Sequence, residues 1–164
     1  MRSPSTSLEH GLTHAEWPAR LERLGEGALA RNMWARAPEI WLDGGHNAAG
    51  GQVIAHALAE LDERVPRAVH LIWGMMETKD AHAFIAPFKG LVERVYTVPI
   101  PEEANAFDAE ALAEIAASEG FDVTPASGVA HALMQSRARA RASGTRADLR
   151  LALSSGPRAQ AAWN

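Results

Sequence analysis

Glu39-Ile40-Trp41-Leu42-Asp43-Gly44-Gly45-His46-Asn47-Ala48-Ala49-Gly50-Gly51 is the stretch whose reading decides the fold: an apolar run that stops abruptly in Asp, two Gly, His and Asn. Ile40, Trp41 and Leu42 have strand propensity. Gly44 and Gly45 permit backbone angles closed to other residues, and Asn47 is a favoured N-cap for the apolar-periodic segment after it. Strand, tight turn and helix in that order place Asp43 and His46 at the carboxyl end of a sheet strand, where open α/β sheets bind ligands.

Downstream the same alternation repeats. Val53, Ile54, Ala57, Leu58 and Leu61 fall at helical spacing, which predicts a helix from about Ala48 to Leu61 with those residues buried and His56 facing solvent. The run from Ala68 to Gly74 is apolar almost throughout, as in a parallel strand covered on both faces. A turn, Gly74 to Asp80, follows it, with Asp80 expected to cap a helix carrying Phe84, Ile85, Phe88 and Leu91 that Pro87 kinks or ends. A third strand, Arg94 to Ile100, leads through a loop into a helix from Asp108 to about Glu119, stopped by Gly120. A fourth strand, Phe121 to Thr124, precedes a helix through Val129, Leu133 and Met134. This order predicts one parallel sheet with right-handed crossovers and helices on both faces, a three-layer α/β sandwich.

The two ends read differently. Residues 1–16 begin Met1-Arg2-Ser3-Pro4-Ser5-Thr6-Ser7, without periodicity, as a linker remnant or disordered start. His10 and His14 would share a helix face, but Gly11 lies between them and no third ligand is near, so no metal site is expected there. Trp17-Pro18-Ala19-Arg20-Leu21-Glu22-Arg23-Leu24 suggests a short strand or turn packed on the domain, in which Arg20 taken alone is a surface charge or a stacking partner. Gly25 to Pro38 reads as an irregular or helical insertion. After residue 136 the alternation calls for a closing strand, yet Arg137 to Arg146 is basic and of low complexity. Leu149 to Leu153 could form a strand, but residues 137–164 are expected to be an irregular tail.

Composition bounds the function. The chain has 164 residues, enough for one domain with a core, and is 47% hydrophobic with a formal net charge of -4. That balance gives no reason to expect a nucleic-acid or anionic-membrane partner. Zero cysteines remove disulfides, cysteine zinc sites and thiol nucleophiles, and the sequence shows no long apolar run of signal-peptide or membrane-span type. A cytoplasmic protein, expected to be a monomer, follows by default.

Asp43 and His46 admit three explanations. Asp43 caps the turn and His46 is a satisfied loop histidine; or Asp43 accepts hydrogen bonds from ligand hydroxyls while His46 donates to an anionic group; or the turn binds a dinucleotide. The last is the weakest, because the Gly-x-Gly-x-x-Gly order is lacking. The sequence contains no Gly-x-x-x-x-Gly-Lys-[Ser/Thr] loop, so these residues alone do not cradle a nucleotide triphosphate.

Three motifs in order, Trp17-Pro18-Ala19-Arg20-Leu21-Glu22, Leu42-Asp43-Gly44-Gly45-His46-Asn47, and Gly74-Met75 with Lys79-Asp80, resemble the C-terminal domain of folylpolyglutamate synthase/dihydrofolate synthase, a member of the Mur ligase superfamily. The resemblance covers roughly residues 10 to 136. It implies a Rossmann-like, mostly parallel sheet of the Mur ligase C-terminal type over residues 17–136. It also implies an ATP-dependent ligase that adds L-glutamate to folate or dihydropteroate through an acyl phosphate. On this resemblance Arg20 and Asp43 contact ATP, His46 lies by the incoming glutamate, and Lys79 is carried over as a position only.

Two departures qualify the resemblance. The family's N-terminal P-loop domain, with its Mg2+ ligands and most of the folate site, is not in this sequence, so the chain is expected to be a fragment, inactive alone and carrying no catalytic residue itself. The family's last strand runs into Gly-Ser-Leu-Tyr-Leu, where this chain has Ala147-Asp148-Leu149-Arg150-Leu151-Ala152-Leu153-Ser154. Shifting the codons of that octapeptide by one base permits Arg-Ile-Cys-Gly-Ser-Leu-Tyr-Leu, which suggests a frameshift near Gly144 to Arg146. The alternative function is a non-catalytic α/β nucleotide- or partner-binding module.

Overall fold

The computed structural model of the chain describes residues 21–24, 39–142 and 149–155. In chain order they form β1 (Glu22–Leu24), β2 (Glu39–Asp43), α1 (Ala48–Arg64), β3 (Ala68–Gly74), α2 (Ala81–Ile85), a 3-10 turn (Ala86–Phe88), β4 (Arg94–Thr97), α3 (Ala109–Ser118), β5 (Val123–Pro125), α4 (Val129–Ala142) and β6 (Leu149–Ser155). The strands make one sheet in the order β1-β2-β6-β3-β4-β5. All neighbours are parallel except β1, which pairs antiparallel with β2.

The period-2 geometry of the strands divides the core into two layers of contact. Val69, Leu71 and Trp73 of β3 pack with Ile54, Ala55 and Leu58 of α1, Phe84 of α2, Phe88 of the 3-10 turn and Leu112 of α3. Ile72, with Ile40 and Leu42 of β2, Tyr96 of β4 and Val98 just after it, faces the other way, onto Ala132, Leu133 and Ala140 of α4. Helices thus cover both faces, giving the expected three-layer sandwich. The Trp73 and Phe84 rings stack at a centroid distance of 5.7 Å.

Helix ends follow the local chemistry. Asn47, Asp80 and Asp108 each accept a backbone amide from their helix's first turn. Pro87 confines α2 to five residues before the 3-10 turn, and Gly120, with φ +87°, follows α3.

Two expectations are corrected. Val53 was expected on the buried stripe of α1, but it is 64% exposed, and the buried residues are Gly51, Ile54, Ala55 and Leu58. Gly51 sets that phase: a Cβ there would strike the Phe84 carbonyl oxygen, so only glycine lets α1 lie this close to α2. Turning Gly51 inward turns Val53 outward.

The second correction concerns the tail. The stretch after residue 136 is not irregular throughout: α4 runs on to Ala142, and Leu149–Ser155 is a strand in the middle of the sheet. The α4 signal is hard to see because its buried face consists of Ala132, Leu133, Ser136 and Ala140, mostly small residues, while Arg139 and Arg141 are exposed. Small residues bring a helix close to a sheet without raising its hydrophobicity.

At the amino-terminal edge of the sheet, Glu39 of β2 lies opposite Arg150 of β6. Glu39 Oε2 accepts from Arg150 Nε at 3.1 Å and Arg67 Nη1 at 3.2 Å, and its Oε1 lies 3.4 Å from Arg23 Nε. Arg150 is buried, and its Nη2 reaches the carbonyls of Leu61 and Val65 at 3.5 Å each. On the α4 face, the buried His70 shares a 2.8 Å hydrogen bond between Nδ1 and Ser136 Oγ. Burial, with the Arg94 and Arg139 charges nearby, pushes the His70 pKa down to about 4.

Candidate functional site

Three parallel strands, β2, β6 and β3, end side by side, and the ladder aligns Asp43 with Ser154 and Ser154 with Trp73. This carboxyl edge is where the motif turn begins. Asp43 stands at the end of β2, where its carboxylate Oδ1 accepts the Gly45 amide at 2.5 Å and Oδ2 the Leu21 amide at 2.8 Å.

Glycines make the turn compact. A Cβ on Gly45 would come 2.7 Å from Ile54 Cδ1 and 2.9 Å from Asp43 Oδ1. One on Gly50 would lie 3.1 Å from the Gly45 Cα. The turn therefore rests on the first turn of α1, whose Gly50 amide is capped by Asn47 Oδ1 at 2.8 Å. Asp43 and the turn sit at the positive end of the α1 dipole, which favours negative charge.

His46 is half-buried on the same turn, with Nδ1 3.0 Å from the Gly44 carbonyl oxygen. A carbonyl only accepts, so this bond requires the proton on Nδ1. The neutral ring then offers Nε2 as an acceptor, and Nε2 donates to an anion only in the imidazolium form.

Of the residues singled out in the sequence, Asp43 and His46 are brought together on this turn. Lys79 lies exposed in the loop after β3, on the same edge, where its amide donates to the Met76 carbonyl at 3.0 Å and Asp80 caps α2. Arg20 lies outside the described residues, as do His10 and His14. Two features escaped the sequence reading. Leu21, the backbone partner of Asp43, has φ +44°, a left-handed conformation. Ser154 stands in register between Asp43 and Trp73, a position visible only once β6 is known to insert there.

Among the described residues no group of three or more His, Cys, Asp or Glu could hold a metal ion. No described helix is long and apolar enough to cross a membrane.

Over 95 residues the chain is 30% identical to folylpolyglutamate synthase of Lacticaseibacillus casei, covering 58% of this chain and 19% of that protein. Its fold is similar to that of Mycobacterium tuberculosis folylpolyglutamate synthase complexed with ADP and AMPPCP, with a TM-score of 0.68 and 19% identity over 94% of this chain and 33% of the other. It is also similar to E. coli FolC in complex with DHPP and ADP, with a TM-score of 0.62 and 17% identity over 95% of this chain and 32% of the other. The chain thus spans about a third or less of the length of these relatives. The family model described as Mur ligase, glutamate ligase domain matches residues 29–156, most of the sequence and all of the sheet except β1, and the chain belongs to that family.

Proposed function

We propose that this chain supplies the glutamate side and part of the ATP site of an ATP-dependent folylpolyglutamate synthase, dihydrofolate synthase or both, working in the cytoplasm. One observation carries the reading: the Asp43-Gly44-Gly45-His46-Asn47 turn lies at the carboxyl edge of a parallel sheet against the amino end of α1, with ligand-type side chains held there by backbone bonds. The kinship to folylpolyglutamate synthase supports it.

In this reading Asp43 accepts from ribose hydroxyls, and the Arg20 guanidinium contacts phosphate or ribose oxygens. His46 meets the carboxylate of the incoming L-glutamate as an imidazolium, and Lys79 lies at the rim. ATP supplies the activation of the folate or dihydropteroate carboxyl as an acyl phosphate. The Mg2+ that accompanies ATP is held elsewhere, on a P-loop domain that also brings most of the folate site.

Glutamate incorporation tests the proposal. With Mg-ATP, labelled L-glutamate and either folate or dihydropteroate, the chain alone is expected to give no product, and the chain mixed with the P-loop domain of a folylpolyglutamate synthase is expected to give some. Product that persists after both Asp43→Ala and His46→Ala would sink the residue roles. A chain that binds neither Mg-ATP nor glutamate in calorimetry is instead the non-catalytic module.

A further inference from the structure

At the amino edge of the sheet Glu39 meets three guanidinium groups, those of Arg23, Arg67 and Arg150. Asp62 adds a second carboxylate here, but its Oδ1 accepts the Arg67 main-chain amide at 3.0 Å. Even with both carboxylates counted, three positive charges face two negative ones. Two of the guanidinium donors also lack an acceptor: Arg150 Nη1 and Arg67 Nε are sealed from solvent and bonded to nothing. The Arg150 side chain is 2% exposed, and its Nη2 is turned to the Leu61 and Val65 carbonyls at the end of α1. A buried N–H on a charged group is costly to leave unmet, and a guanidinium cannot shed its proton to escape that cost. Arg67 and Arg150 both bond the same oxygen, Glu39 Oε2, so the two groups stand next to one another. Arg67 is 27% exposed and Arg23 65%, so solvent reaches the cluster past these two side chains.

We propose that this cluster is an oxyanion site: one phosphate-sized anion lies against Arg67 and Arg150, accepting from Arg67 Nε and Arg150 Nη1, with Arg23 at the entrance. A water molecule would satisfy an N–H and leave the surplus positive charge. An oxyanion answers both, and guanidinium forks match its oxygens in pairs. The site is at the opposite edge of the sheet from the 43–47 turn and does not depend on the function proposed above. Bound there, the anion ties β6, through Arg150, to the segment between α1 and β3 that carries Arg67, and so stabilises the folded chain.

Inorganic phosphate is the probe, added to the full 164-residue chain at constant ionic strength with chloride as the balancing anion. Side-chain proton–nitrogen spectra read the site, with the Arg67 Nε–H signal identified by its loss in Arg67→Lys. That signal is expected to move with phosphate and saturate, and the urea midpoint to rise over the same range. In calorimetry Arg67→Ala is expected to weaken phosphate binding by about tenfold or more. Arg67→Lys, which keeps the charge without the fork, is expected to weaken it less, and His46→Ala at the other edge to leave it unchanged. Binding that Arg67→Ala does not weaken, or that His46→Ala abolishes, puts the anion elsewhere and overturns the site. An Arg67 signal that stays still, or that chloride moves as far as phosphate does, overturns it as well, and this reading on the parent chain decides the matter even if Arg67→Ala fails to fold.

Discussion

His70 shows how much one side chain can tie stability to acidity. Its ring is buried beside Tyr96 and bonded to Ser136, and the folded state holds its pKa near 4 against 6.5 for a free imidazole. Between those values the unfolded chain binds a proton that the folded chain does not. Stability therefore falls as pH drops from 6.5 to 4 and is unaffected by this group above 6.5. The slope is at most about 1.4 kcal/mol per pH unit and the full loss about 3 kcal/mol. Urea unfolding at pH 7, 5.5 and 4.5 is expected to show that decline in the parent protein and a shallower one in His70→Gln; parallel declines would contradict it. At this scale the motif was readable because its parts are neighbours in the chain: Asp43, the glycines, His46 and the Asn47 cap declare a turn by composition. The Asp43 to Leu21 bond was not readable, since its donor is a main-chain amide 22 positions away that leaves no mark on side-chain identity.

Among the elements, β2 and β6 meet at their amino ends through Glu39, which gathers Arg23, Arg67 and Arg150. These four do not contribute alike. Arg23 is exposed, and an exposed pair contributes about 0 to 1 kcal/mol. Arg150 is only 1% exposed, so removing its carboxylate strands a buried charge, at a cost on the order of 3 to 5 kcal/mol. Equilibrium unfolding is expected to rank Glu39→Gln far below Arg23→Ala in stability; similar midpoints for the two would show that the buried pair does not hold β6 in place. β3 was legible to the residue, since the run Ala68–Gly74 is apolar almost throughout and buried on both faces, as in a central strand. The phase of α1 was not, because it is set by the approach of Gly51 to Phe84, a contact that apolar counting scores as nothing. Likewise α4 hides behind alternating Arg and Ala, a pattern that signals low complexity until the Ala and Ser positions are seen to lie under the sheet.

For the whole molecule, the sandwich and the strand alternation were legible from the repeated strand, turn and helix pattern. The place of the last strand was not, because strand order depends on pairings across the chain and β6 carries an arginine where apolar residues are the rule. Among the described residues β2 pairs only with β1 and β6, so β6 is the link that joins the β1-β2 pair to the rest of the sheet. A chain ending at residue 148 is expected to keep exchange protection in β3 and β4 and to lose it in β2; protected β2 amides in that variant would refute the linking role. A central strand that comes last in sequence also governs the order of assembly. Glu39 and Arg150 are 111 positions apart, and pairings so distant are slow to form. At roughly 5 to 20 residues per second, about 4 to 16 seconds of synthesis separate the end of β3 from the end of β6. Throughout that interval the facing edges of β2 and β3 lack their natural partner, so the newborn chain is most open to mispairing with other strands before its own sixth strand arrives.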